Sequence, residues 1–172
     1  MRPLKRWRYV GAYGPEVMAC VGDARIGPFR QRFWAVCEPG RGVVDDTEGR
    51  HARHTTWTWS AGVGRAADGS RVGWNLVTGV NDEPTGSERC VWLDGAPREV
   101  GPVEFAADLS RVSFSEGGAL DFDSWGSRED DTNLLLLRSS YRQPFGTFGG
   151  SLPGGVILAE GYGVMEWHDV WW

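Results

Sequence analysis

The chain has 172 residues, 41% of them hydrophobic, and a formal net charge of −5, enough to bury roughly two-thirds of its unfolded surface. The whole of 1–172 is expected to form one domain. The acidic balance offers no global field for nucleic acid, and no run of about 18 apolar residues is present to span a membrane.

The opening Met1-Arg2-Pro3-Leu4-Lys5-Arg6-Trp7-Arg8 is basic, but no apolar segment follows it, so it does not read as a secretory leader. Twenty-five glycines, and no helical i, i+3, i+4, i+7 pattern sustained over three turns, point to an all-β fold. Strands are predicted at 7–13, 16–25 and 30–37. A linker, Glu38–Gly42, and an acidic loop, Val43–Gly49, come next. Further strands are expected at 55–66, 71–80, 88–93, 98–105, 111–115, 119–123, 133–141, 147–152 and 156–168. Arg128-Glu129-Asp130-Asp131 reads as a solvated loop. The turns at Asp68-Gly69, Asp94-Gly95, Gly117-Gly118 and Pro153-Gly154-Gly155 each carry a residue that tolerates positive φ. A meander this long closes on itself to remove its edges, so an up-and-down antiparallel β-barrel is expected, with a two-sheet sandwich as the alternative.

Cys20, Cys37 and Cys90 are odd in number and widely spaced, which argues against a disulfide framework and for a reducing, cytoplasmic setting. His51 and His54 lie three apart, and on a strand that sends them to opposite faces, so no metal site and no cofactor is expected.

Trp57 and Trp59 share one strand face beside His54. Imidazole next to large aromatic surface suits a pocket for an apolar small molecule with some polar character. On the last strand Tyr162, Val164, Glu166, His168 and Val170 share a face. Hydration or cyclisation of a polyene needs a proton donor and aromatic faces that tolerate developing positive charge. The candidate catalytic residues are therefore His54, Glu166 and His168, and Trp57, Trp59 and Trp74 are the expected wall. Asn75, Glu88, Tyr141 and Gln143 complete the candidate ligand-binding set. The competing reading makes Glu166 and His168 a structural hydrogen-bond network closing the last strand.

His54, Trp57, Trp59 and the Asp68-Gly69 hairpin resemble an element of the lipocalin-like superfamily that includes the carotenoid 1,2-hydratases. The segments 73–81, 88–95, 141–148 and 161–168, with Gln143-Pro144-Phe145-Gly146 and Glu166-Trp167-His168 among them, are similar to an uncharacterised bacterial domain family in that neighbourhood. Members of that family are longer, with further strands where Glu38–Gly42 stands here. The resemblance implies a lipocalin-like barrel and, through its neighbours, chemistry on unsaturated metabolites. Three functions follow as expectations. The first is an enzyme of secondary metabolism acting on an apolar unsaturated molecule as a cyclase, isomerase or hydro-lyase. The second is a carrier of such a molecule. The third is a packed structural barrel. An unpaired edge beside the linker would favour a homodimer.

Overall fold

The computed structural model describes residues 4–15, 18–27, 29–36, 41–49, 52–134 and 137–171. Thirteen strands are formed by the described residues: β1 (Lys5–Tyr13), β2 (Ala19–Ile26), β3 (Phe29–Val36), β4 (Arg41–Gly49), β5 (His54–Ala66), β6 (Arg71–Thr78), β7 (Cys90–Leu93), β8 (Ala96–Glu99), β9 (Val103–Phe105), β10 (Arg111–Phe114), β11 (Ala119–Leu134), β12 (Leu137–Leu152) and β13 (Val156–Trp171). They build a four-stranded sheet, β3-β2-β1-β4, and a nine-stranded sheet, β8-β7-β6-β5-β13-β12-β11-β10-β9. Every pairing is antiparallel. The chain is all-β and antiparallel, and its nine-stranded sheet, two meanders joined at β5–β13, is consistent with the expected lipocalin-like barrel. In the four-stranded sheet β4 returns beside β1 and breaks the simple up-and-down order. Among the described residues no helix is long and apolar enough to cross a membrane.

The nine-stranded sheet must curl. Its two edge strands, β8 and β9, are joined by only Val100, Gly101 and Pro102. Laid flat, nine strands would hold those edges about 38 Å apart. Three connecting residues reach at most about 14 Å. The short connection wins, and β9 comes round to approach β6. The concave face is filled. Trp74, Leu76, Val112, Leu120, Phe122, Phe148, Leu152, Leu158 and Met165 form one buried cluster drawn from both ends of the strand order. The Trp74 ring lies 4.9 Å from Phe148, and Phe148 lies 4.6 Å from Phe122. Gly62 stands opposite Trp74 across the β5–β6 ladder, where a Cβ would run into the indole.

The other face of the long strands meets the four-stranded sheet. Tyr9, Tyr13, Met18 and Cys20 pack there against Trp59, Ala61, Val77 and Val164. Two bulges decide which side chains reach this second layer. Trp125 is an extra residue in β11, between Ser124 paired with Gly146 and Gly126 paired with Phe145. Ala159 plays the same part in β13, between Leu158 and Glu160. One inserted residue reverses the side-chain parity beyond it. Leu120 and Phe122 therefore enter the concave core, while Arg128, Asp130, Thr132 and Leu134 turn to the opposite layer.

Several predicted boundaries are corrected. The expected acidic loop 43–49 belongs to β4, which pairs with β1 from Lys5↔Gly49 to Tyr13↔Arg41. The expected loop Arg128–Asp131 is part of β11. Segments 133–141 and 147–152 form one hairpin arm, β12, apart from the first few residues. Pro144 lacks an N–H, and the β12–β13 ladder lapses between Arg142↔Trp167 and Phe145↔Val164 without losing register. The run 98–105 splits at Gly101-Pro102 into β8 and β9. Residues 37–40 of the linker region, with Cys37, and His51 lie outside the described residues. Cys20 and Cys90 are free thiols.

Candidate functional site

A cavity of about 370 Å³ lies between the two sheets, on the face opposite the filled concave core. Trp57 and Trp59 from β5, Val77 from β6, and Glu166, His168 and Val170 from β13 form one wall. Ser139 and Tyr141 from β12 extend it, with Arg128, Asp130, Thr132 and Leu134 from β11. Trp7, Arg8 and Tyr9 from β1, with Asp23 and Ala24 from β2, line the other side. Val80 and Glu88 bound the end beyond β6.

The alternation of β1 and β5 places aromatic faces across the cavity from one another. Trp7 and Trp57 are parallel with ring centres 6.0 Å apart. Tyr9 meets Trp59 edge-on at 5.3 Å. Glu166 is buried in this aromatic setting, and three neutral donors converge on its carboxylate. The Trp57 indole Nε1–H donates to Oε1 at 2.9 Å. The Tyr141 hydroxyl and the Gln143 amide donate to Oε2 at 3.0 and 2.8 Å. An indole N–H can only donate, so the arrangement suits a carboxylate acting as acceptor. Burial, then the neighbouring Glu166, push the Tyr141 phenol well above its ordinary range, so it remains a donor.

Gln143 is fully buried, and its Oε1 has no hydrogen-bond partner. It occupies the next position after Ser139 and Tyr141 on the same face of β12, and it does not line the cavity itself. His168 packs between Trp57 at 4.4 Å and Tyr141 at 5.0 Å. Its Nε2 lies 2.8 Å from the Ser139 hydroxyl. Burial pushes the imidazole down to about 4, against an opposing pull from Asp169, so it is neutral at physiological pH.

Glu166, His168, Trp57, Trp59, Glu88 and Tyr141 thus meet at one cavity, with Gln143 bonded to its carboxylate. Asn75 stands one layer back. Its Oδ1 accepts from the Trp59 indole at 2.7 Å, and its Nδ2 donates to the Glu88 carbonyl at 2.8 Å. Trp74 is on the opposite face, fully buried in the concave core, with its indole donating to Ser60 Oγ at 3.0 Å. Its partner in the ladder is Gly62, an even position of β5, whereas Trp57 and Trp59 are odd. His54 is exposed and does not line the cavity. Its Nε2 lies 2.9 Å from Asp169 Oδ2, and its ring stacks on Trp171 at 4.2 Å. Hydrogen bonds from Thr56 and His54 hold the Asp169 carboxyl below the usual carboxylate range.

Sequence reasoning did not assign Trp7, Tyr9, Asp23, Arg128, Asp130 or Ser139 to the site. The alternation Trp7, Tyr9, Gly11, Tyr13 was the available signal for β1. Arg128 and Asp130 carried none, because charge alone does not reveal a bulge upstream. Among the described residues no group of three or more His, Cys, Asp or Glu side chains could hold a metal ion.

No curated protein and no solved structure matches the chain significantly. A family model does match, over residues 16–172. With most of its length covered, the chain belongs to the family described as Domain of unknown function (DUF2804).

Proposed function

We propose that the chain is an enzyme acting on a small molecule with an apolar, unsaturated body, of the isomerase, cyclase or hydro-lyase type. The observation that carries this reading is Glu166, a buried carboxylate held by Trp57, Tyr141 and Gln143 at an aromatic cavity. The cavity volume of about 370 Å³ falls at the small end of ligand pockets, which run from about 300 to 1,000 Å³. Its aromatic walls favour flat, conjugated bodies. A carboxylate there can remove a proton from an allylic carbon activated by conjugation, the electron pair passing into the π system. The Glu166 carboxyl, whose proton exchanges with solvent, then returns a proton to another carbon, which shifts the double bond with no change of oxidation state. A carboxylate base positioned in this way contributes roughly 100-fold or more to such a step.

β-Ionone, a conjugated ketone of suitable size, is the probe. It is expected to quench tryptophan fluorescence, and the wild-type protein in D₂O is expected to catalyse deuterium entry at its allylic positions. Glu166→Gln should retain the quenching and lose about 100-fold of the exchange rate. Quenching without exchange in the wild type would replace the enzyme with a carrier. Failure of β-ionone and of other conjugated apolar probes to perturb the tryptophans would remove the binding site itself.

A further inference from the structure

The wall that carries Glu166 also holds a hydroxyl–imidazole pair. Ser139 on β12 and His168 on β13 both line the cavity. Ser139 pairs across the ladder with Val170 and His168 pairs with Tyr141, so the serine reaches diagonally to the imidazole, 2.8 Å from Nε2. Among the described residues this is the only hydrogen bond of either side chain. Packing between Trp57 and Tyr141 fixes the ring, and burial keeps it neutral down to about pH 4. An imidazole of such low basicity is a poor acceptor for the serine proton and a good donor. This assigns the Nε2–H tautomer to His168. With Nε2–H given to Ser139 Oγ, the serine's own O–H is left to point into the cavity. Glu166 stands two residues before His168 on the same face of β13, which sets carboxylate and hydroxyl roughly 7 Å apart along the strand.

We propose that the substrate is a conjugated carbonyl compound, its oxygen hydrogen-bonded by Ser139 with His168 behind it and its allylic carbon at Glu166. The proposal rests on the reading of this cavity as an isomerase-type site and adds the substrate's functional group to it. Removal of the allylic proton by Glu166 sends the electron pair through the double bond onto the carbonyl oxygen, giving a dienolate. The Ser139 O–H then faces developing negative charge instead of a carbonyl dipole, so its bond strengthens in the transition state. Protonation at the carbon next to the carbonyl returns the pair to carbon and restores the C=O bond, with no net change of oxidation state. A hydrocarbon would leave the hydroxyl against apolar surface and give the electron pair no oxygen to settle on. His168 acts only through Ser139 and is a positioning residue in this scheme.

Two probes of nearly the same shape test this on the intact chain: 2-acetylnaphthalene, and 2-isopropenylnaphthalene, in which a methylene replaces the carbonyl oxygen. Isothermal titration calorimetry gives the ratio of their affinities. Ser139→Ala is expected to weaken binding of the ketone about tenfold and to leave that of the hydrocarbon unchanged. The infrared carbonyl band of bound, ¹³C=O-labelled 2-acetylnaphthalene is expected below its position in hexane. It should return there in Ser139→Ala and move part of the way in His168→Phe. If Ser139→Ala does not fold, the wild-type band decides alone. An affinity ratio unchanged in Ser139→Ala, or a wild-type band at the hexane position, would overturn the proposal and leave the cavity reading standing. A band unmoved in His168→Phe would overturn the part given to the imidazole. Binding of neither probe would overturn both the proposal and the cavity reading. The expected ratio and band, with no deuterium entering β-ionone, would keep the oxygen seat and make the protein a carrier of conjugated carbonyl compounds.

Discussion

His168 is held neutral by burial, and its titration is therefore written into the stability of the fold. Its folded value is about 4 against an ordinary 6.5. The unfolded chain takes up a proton as pH falls through 6.5, whereas the folded chain resists until about 4. Stability from this group is complete above pH 6.5 and falls across the window down to about 4, by an amount on the order of 3 kcal/mol at 1.36 kcal/mol per unit. Urea melts from pH 7.5 to 4 should show that slope, and His168→Gln should flatten it. An unchanged slope in the variant would place the proton uptake elsewhere. At this scale much of the site was legible. Trp57, Trp59, Glu166 and His168 follow from simple alternation within single strands, because side chains two apart share a face whatever the fold. Trp74 did not follow. Its face relative to Trp57 depends on the β5–β6 register, which sets it opposite Gly62, and a sequence does not display register directly.

The bulge at Trp125 shows how an element, rather than a residue, assembles the site. Trp125 itself is exposed at 48% and touches Tyr162 edge-on at 6.1 Å. Replacing it with alanine keeps the residue count and should cost less than about 1 kcal/mol. Deleting it removes the parity change, so Leu120 and Phe122 cannot face the core while Arg128 and Asp130 face the cavity. Thermal melts should find Trp125→Ala close to the wild type and the deletion strongly destabilised. A deletion variant with unaltered melting would show that parity across β11 is not set here. The stretch Arg128–Asp131 reads as a loop in the sequence because all four residues are charged, on both faces, and only the pairing of β11 with β12 reveals a strand. Likewise the acidic 43–49 segment lacks an apolar alternation, yet the backbone of β1 recruits it as β4. The hairpin turns were easier to recognise, because Gly69, Gly95, Gly117 and Gly154 all take the positive φ that tight turns demand.

Across the whole molecule, the all-β class and the meander were legible, and the division of labour between the two faces was not. The expected lumen site combined Trp57, Trp59 and Trp74 in one pocket. In the folded chain the curled sheet fills its concave side with Trp74, Phe122 and Phe148, and the open space lies under the four-stranded sheet instead. The three-residue link from β8 to β9 dictates the curl, but its consequence emerges only once the strand order is known. The central claim, that ligands enter the layer between the sheets and not the concave core, is tested by following the tryptophan indole N–H signals by ¹H–¹⁵N NMR during a β-ionone titration. The Trp57 and Trp59 signals are predicted to shift while the Trp74 signal, bonded to Ser60, stays in place. Movement of Trp74 with Trp57 and Trp59 unperturbed would contradict the account.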